Sequence, residues 1–242
     1  MPRASRIESF ALTPGRVIAG KYEVKQCIGA GWEGEVYLIK ERSTEIERAA
    51  KLFFPDRNRN DRAFKFYARK LHELRHVPII IQYHARETIR FRQTDISCLI
   101  SEYVAGELLI DFLSRQRGKR LHAFQALHLL HALASGVEGI HEQREYHGDL
   151  HSGNVIVQRC GLGFELKLID LYRWGSPKAE NIKADVLDMI RIFYEAIGGP
   201  KHYAGQPQEI KAIVCGMKRS LIEKKFKTAG ALRTYLETME WQ

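Results

Sequence analysis

Apolar and polar positions alternate along the first hundred residues, and after that apolar positions recur every third or fourth residue. Residues 22–28 and 35–40 read as two strands joined by a glycine-rich turn. Residues 48–54 read as a third short strand, closed by the turn pair Pro55-Asp56. Over 61–75 the apolar side chains fall at Phe64, Tyr67, Ala68, Leu71 and Leu74, the spacing of a helix with one apolar face. Residues 79–83 and 97–104 are the next expected strands. Beyond Gly106 the texture changes: 108–116 and 123–143 predict helices, followed by a polar loop over 146–154. Two short strands, 155–158 and 165–169, flank a Gly161-Leu162-Gly163 turn, and 184–197, 207–218 and 228–239 are helical in pattern. Strands early and helices late predict an α+β chain: an arm over 1–15, a strand-rich part over 16–104 and a mainly helical part over 105–242. No linker or repeat interrupts it.

The chain has 242 residues, of which 45% are hydrophobic and 28% charged, enough to build a core without disulfides or metals. Cys27, Cys98, Cys160 and Cys215 are far apart, with no C-x-x-C pair and no zinc-ligand spacing. Scattered thiols point to a reducing compartment and, for most of them, to structural places in the core. The first fifteen residues mix Arg3, Arg6 and Glu8 with few apolar ones, a short arm and not a signal peptide. With no apolar run near the ~20 residues of a membrane span, the expectation is a cytoplasmic protein without a membrane partner.

The formal charge of +9 favours anionic partners: nucleotides, nucleic acid, acidic peptides or membrane surfaces. Its denser stretches, at 57–62, 115–120 and 218–227, lack the interleaved aromatics of a single-strand platform and read as solvated faces. Charge alone therefore does not carry a nucleic-acid function.

Gly29-Ala30-Gly31-Trp32-Glu33-Gly34-Glu35-Val36 fits G-x-G-x-x-G-x-V, in which glycines let backbone amides approach phosphates closely. Its place between two strands argues against a dinucleotide-binding turn, which needs a helix after it. Lys51 lies seventeen residues after Gly34 inside an apolar strand, a placement that asks for a partner or for snorkelling to water. His147-Gly148-Asp149-Leu150-His151-Ser152-Gly153-Asn154 then enters the apolar Val155-Ile156-Val157. There an Asp and an Asn five apart let a carboxylate face a hydroxyl nucleophile while an amide oxygen binds a metal. Asp170 ends a second strand, where a hard cation between phosphates would be held.

Glycine loop, strand lysine, loop Asp and Asn, and a further Asp, in that order, resemble the motif set of the protein-kinase-like superfamily over roughly residues 20–238. The likeness is to a small, bacterial-type serine/threonine kinase domain whose catalytic loop is closer to that of aminoglycoside phosphotransferases. It implies a two-lobed α+β fold with a β-rich N-lobe carrying one main helix and a shortened, mainly helical C-lobe. Gly29, Gly31, Gly34 and Val36 would then flank ATP, and Lys51 would contact its α- and β-phosphates. Asp149 would accept the proton of the acceptor hydroxyl, and Asn154 and Asp170 would hold magnesium. The backbones of Glu102 and Val104 would bind adenine, with small Ser101 behind. Asp185 would brace the catalytic loop from its helix, and 224–236 resembles the last helix of the lobe.

The departures from that pattern bear on substrate and regulation. Gly148 stands where kinases switched by loop phosphorylation carry an arginine, so such a switch is not expected. His151 replaces a lysine, and Leu171-Tyr172 after Asp170 lacks the glycine of D-F-G. Only fourteen residues separate Asp170 from Asp185, which shortens or removes the peptide platform. The helix position that should carry an acid for Lys51 is Tyr67, and Glu73 lies about 120° away on the wheel. Either the register shifts or the lysine is paired differently, with Glu73 or nothing on the helix. His122, His128 and His131 read as packed or surface histidines rather than a metal site, and His147 as a support for the loop backbone. The expected activity is magnesium-ATP-dependent transfer to a protein serine or threonine. The alternatives are a small-molecule or sugar kinase and a pseudokinase that binds nucleotide without turning it over.

Overall fold

The computed structural model describes residues 7–161, 163–172 and 178–240. The chain divides into two units. One takes the chain up to His76 together with Ile81–Val104, and the other takes Val77–Ile80 and everything from Ala105 onward.

The first unit is a six-stranded antiparallel sheet with one helix. Its elements are β1 (Val17–Ile18), β2 (Tyr22–Ala30), β3 (Gly34–Glu41), β4 (Glu47–Phe53), α1 (Arg62–Glu73), β5 (Tyr83–Phe91) and β6 (Thr94–Glu102). The spatial order is β1-β2-β3-β4-β6-β5. Strand alternation sends Tyr37, Ile39, Ala50, Leu52, Cys98 and Ile100 into one buried cluster. On the other side of the sheet, the rings of Phe64 and Tyr67 from α1 lie 6.2 and 6.0 Å from that of Phe53. Asp61 ties the head of α1 to the sheet, accepting from Ser97 of β6 and Arg86 of β5, both at 2.5 Å. Those bonds, Ser97's foremost, hold its carboxyl below the usual range.

The segment before β1 completes this core. Ile7, Phe10 and Leu12 are buried in the cluster, and Phe10 stacks on Phe54 at 5.2 Å and meets Phe91 edge-on at 5.3 Å. It has no regular structure, so its polar groups need other partners. The buried Glu35 carboxylate accepts from Ser9 Oγ (2.7 Å), the Phe10 amide (3.2 Å) and the Tyr37 hydroxyl, while the Leu12 amide donates to that hydroxyl (3.1 Å). The arm expected from its polar composition is thus pinned by three apolar side chains and one carboxylate. Residues 1–6 of it lie outside the described residues.

The second unit contains β7 (Glu107–Leu108), α2 (Leu109–Arg115), α3 (Ala123–Glu142), β8 (Val155–Cys160), β9 (Gly163–Leu168), α4 (Lys178–Ala196), α5 (Pro200–Tyr203), α6 (Gln208–Val214), α7 (Arg219–Lys225) and α8 (Ala229–Thr238). Its strands form an antiparallel β7-β8-β9 sheet. α3 is its central helix, started by a capping box of His122 and Gln125 and burying Leu129, Leu130, Leu133, Val137 and Ile140. α8 is fastened to α3 by Arg233, whose Nε lies 2.6 Å from Glu138 Oε2.

Several sequence expectations are corrected. Residues 79–82 form no strand, and Tyr83 only begins β5: Val77–Ile80 packs on the helical unit, where a Cβ at Gly136 would lie 2.2 Å from Ile79 Cδ1 and Ile80 makes a lone parallel bridge to Leu168. A short apolar run does not reveal by periodicity which partner buries it. The strand is β5 instead, an edge whose outward Arg86 and Arg90 mask its inward Ile89 and Phe91. The helix expected over 207–218 stops at Cys215, with φ of 51°, followed by Gly216 at 60°. α5 and α7 were not foreseen. Of the cysteines only Cys98 lies in the core, where burial pushes its thiol well up. Cys27 and Cys160 are exposed and Cys215 is half-buried. Leu162 of the expected turn lies outside the described residues. Among the described residues no helix is long and apolar enough to cross a membrane.

If the segment before β1 closes the core of the first unit, Phe10→Ala will destabilise that unit by ~3 kcal/mol. Ser9→Ala, which removes one exposed hydroxyl, will cost about 1 kcal/mol. Urea unfolding followed by intrinsic fluorescence measures both, and equal small effects would mean the segment is only draped over the sheet.

Candidate active site

In the first unit the glycine-rich turn joins β2 to β3 and is closed by the Gly31 amide donating to the Gly34 carbonyl at 2.9 Å. Gly34 is demanded by packing, since a Cβ there would lie 1.9 Å from the Leu52 carbonyl oxygen; Gly29 and Gly31 have room for one. Val36 sits directly opposite Lys51 across the β3–β4 pair. Pleating sends the neighbours Ala50 and Leu52 into the core cluster and Lys51 to the other face. There its Nζ lies 4.1 Å from the centre of the Tyr67 ring, 5.5 Å from that of Phe53 and 3.1 Å from Glu33 Oε2. The Lys51 side chain is only 13% exposed. The helix position picked out on the wheel is indeed Tyr67, and Glu73 is exposed at the far end of α1. The glycine turn thus supplies a carboxylate to the lysine.

β6 carries Ser101 and Glu102 to its end. Ser101 is buried, with its hydroxyl 3.4 Å from the Glu102 carbonyl. The Glu102 amide donates to the Gln82 carbonyl at 2.8 Å. Val104, two residues on, is half-buried and outside regular structure.

In the second unit the polar loop is built around Asp185, which is fully buried on α4. Its carboxylate accepts from the His147 amide (2.7 Å) and the Gly148 amide (3.0 Å), and lies 3.1 Å from His141 Nε2. His147 is also fully buried. Its Nε2 faces the Ile169 carbonyl at 2.9 Å and so carries the ring proton, which leaves Nδ1 to accept from the Asp149 amide at 3.3 Å. Gly148 has φ of 84°, and a Cβ there would lie 2.9 Å from both the Tyr146 ring and the Tyr172 carbonyl oxygen. That geometry is why no arginine stands at 148. The Tyr172 amide in turn donates to the His147 carbonyl at 2.8 Å, and Tyr172 does so without a positive φ.

This frame presents Asp149 exposed at the loop's edge. Asn154 is buried beneath it and uses its amide nitrogen twice, on the Asp149 carbonyl (2.8 Å) and on Asp149 Oδ2 (3.2 Å). His151 accepts from the Gly153 amide at Nδ1 (3.0 Å), so its protonated Nε2 faces Asp149 Oδ2 at 3.8 Å. The Ile169 amide donates to the Asn154 carbonyl at 3.1 Å, extending the β8–β9 ladder by one step. Asp170 follows Ile169 immediately in the chain, with φ of 55°.

Asp188, one turn after Asp185 on α4, was not singled out by sequence although its i+3 spacing marks the same face. Burial, with the charges of Asp185 and Asp149 adding, pushes its carboxyl up to about 6 against the pull of Arg191 at 2.9 Å. Glu33 was missed too, its only signal being an acid within a glycine run. The histidines of α3 serve other ends: His122 caps it, His128 packs edge-on against Phe124 and His131 meets Glu237 at 3.0 Å. Among the described residues no three His, Cys, Asp or Glu are grouped to hold a metal by themselves. Residues 173–177, within the segment expected to be shortened, lie outside the described residues.

Residues 22–186 match the family model described as protein kinase domain. The chain is 30% identical over 158 residues to serine/threonine-protein kinase pkn2 of Myxococcus xanthus, covering 64% of this chain and 18% of that protein. It is 27% identical over 150 residues to serine/threonine-protein kinase PrkC of Bacillus subtilis, covering 61% and 22%. The match thus spans about a fifth of the length of these relatives. Among solved structures, the PknI kinase domain of Mycobacterium tuberculosis, a double mutant, superposes with a TM-score of 0.63 at 21% identity, covering 95% of this chain and 98% of that one. At that identity it shows a shared fold.

The raised carboxyl of Asp188 has a sign that can be checked. Its folded-state value of about 6 lies above the unfolded 3.8, so the folded protein holds the extra proton between them, and stability falls as pH rises through that window. Asp188→Asn removes this loss. It will flatten the pH dependence of stability between pH 4 and 6 and add roughly 1–2 kcal/mol at pH 7. Unfolding midpoints across that range measure it; parallel profiles for the two proteins would contradict it.

Proposed function

Because the chain belongs to the protein kinase family, we propose that it transfers the γ-phosphoryl group of ATP to a serine or threonine hydroxyl of a protein. The observation that carries this reading is the Asp149–Asn154 pair, held rigidly from below by Asp185 and His147 while the Asp149 carboxylate stays exposed. An exposed carboxylate in a fixed backbone frame can orient an incoming hydroxyl and take its proton as the oxygen attacks. Lys51 contacts the α- and β-phosphates, the amides of the glycine turn line the phosphate chain, and Val36 packs on the base. The Glu102 carbonyl and the Val104 amide pair with the adenine edge.

The residues present fit magnesium. Asn154 spends its amide nitrogen on Asp149, which leaves its Oδ1 for a hard cation, and Asp170 follows directly on Ile169, whose amide bonds the Asn154 carbonyl, so its carboxylate would be the second ligand. Two oxygen ligands from the protein, completed by phosphate oxygens and water, are the usual provision for this ion. Bound there, magnesium offsets the charge that builds on the β- and γ-phosphates. The relatives' names support a serine/threonine acceptor, and the retention of Lys51, Asp149, Asn154 and Asp170 supports turnover.

Asp149→Asn keeps the size of the side chain and removes the base. It will lower transfer from γ-labelled ATP by about 10²–10⁴-fold without lowering the unfolding midpoint. Wild type and variant should be compared on a generic basic protein and on a panel of small hydroxyl compounds. Label on serine or threonine is expected. Label confined to the small compounds would replace the protein acceptor, and nucleotide binding without transfer to either would make the chain a pseudokinase.

A further inference from the structure

Lys51 has a carboxylate partner on the glycine turn, and we propose that Glu33 is the positioning residue that aligns this lysine for the nucleotide phosphates. The proposal deepens the phosphotransferase reading and rests on it. α1 supplies one acid, Glu73, exposed at its C-terminal end, and the residue it turns toward β4 is Tyr67. An aromatic face attracts an ammonium but offers no oriented lone pair. A lysine with its side chain 13% exposed needs a counter-charge to stay ionised, and hydrogen-bond acceptors to point it. Glu33 supplies both at 3.1 Å.

The anchoring of Glu33 separates this pair from a surface ion pair, in which two mobile side chains gain little. Two contacts fix its backbone relative to β4 and a third closes the turn. The Glu33 carbonyl accepts from the Phe54 amide at 2.9 Å, the residue just after β4. The Gly31–Gly34 bond closes the turn, and Gly34 lies flush against the Leu52 carbonyl, next in sequence to Lys51. The neighbouring Trp32 ring is covered by the Arg57 guanidinium at 4.0 Å, a further tie between the turn and the chain beyond β4. The turn whose amides face phosphate and the lysine that meets phosphate are thereby one piece, and a displacement of the turn moves the lysine's partner with it.

The test compares Glu33→Gln, which keeps the shape and removes the charge, with Glu33→Asp, which keeps the charge. Each is measured in the full chain for kcat and KM of magnesium-ATP, with Lys51→Ala and Asp149→Asn beside them. Glu33→Gln should lower kcat/KM about ten- to a hundredfold, since misplacement of a catalytic group by ~1 Å costs up to that order. Glu33→Asp should recover most of the loss, and the unfolding midpoints should match. A second readout needs no activity: acylation of Lys51 by an amine reagent, followed by mass spectrometry. It should quicken several-fold in Glu33→Gln, because the Glu33 carboxylate 3.1 Å away favours the charged form of the lysine and the variant removes it. Wild-type kcat and KM in Glu33→Gln would overturn the proposal, and so would tighter ATP binding, which would make Glu33 a competitor of phosphate. Should the wild type itself prove inactive, the phosphotransferase reading falls separately, and unchanged Lys51 acylation in Glu33→Gln would then dispose of the pairing.

Discussion

A carboxylate shielded from water, that of Asp185, collects the amide protons of His147 and Gly148 and the ring of His141. Burying a charge is tolerable only when it is hydrogen-bonded throughout, and this one is bonded to the backbone of the loop that carries Asp149. The direction of dependence follows. The loop takes its path, including φ of 84° at Gly148, because that path brings two consecutive amides to one carboxylate. His147 relays the constraint in both directions, holding the Ile169 carbonyl with one ring nitrogen and the Asp149 amide with the other. Asp149, Asn154 and Asp170 are thus set by one buried acid and one buried imidazole, neither of which need touch substrate. The field of Asp185 also reaches Asp188, helping burial to raise that carboxyl to about 6.

The first unit handles charge differently. Its two buried or part-buried acids near the glycine turn, Glu33 and Glu35, are two residues apart and do opposite jobs. Glu35 faces the core cluster, where Ser9, the Phe10 amide and Tyr37 satisfy it, so it fixes the segment before β1 to the start of β3. Glu33 faces the other way and meets Lys51. Burial and the bond to Glu35 push the Tyr37 hydroxyl well up, so it acts there as a donor throughout the physiological range. Between these acids Gly34 has no room for a side chain, so the turn is held from both sides of the sheet.

Much of this was legible in the sequence because its signals are local. The spacing of Phe64, Tyr67 and Leu71 gave α1, the apolar runs at 155–158 and 165–169 gave β8 and β9, and the order of glycines, lysine, Asp, Asn and Asp picked out the candidate residues. Asp185 as the brace of the loop was also readable, by resemblance. What escaped depends on partners far away in the chain. Residues 79–83 read as a strand until the glycine face of α3 is seen to receive Ile79, and β5 hides behind its own outward charges. Among the described residues, the segment before β1 carries only three large apolar side chains, and Phe10 among them packs on Phe54 and Phe91. The partner of Lys51 was sought on a helix because the family pattern places it there. The sequence left open a register shift or a different pairing; the Tyr67 ring lies at that place, and nothing local said that the turn would bring an acid to the lysine.

The most direct test of the account is calorimetric titration of the purified chain with ATP, with and without magnesium, beside Asp170→Asn. The account predicts saturable one-to-one binding that tightens when magnesium is present, and an Asp170→Asn protein that binds ATP but gains little from the metal. No binding of ATP by the wild type, or a magnesium effect equally large in Asp170→Asn, would contradict it.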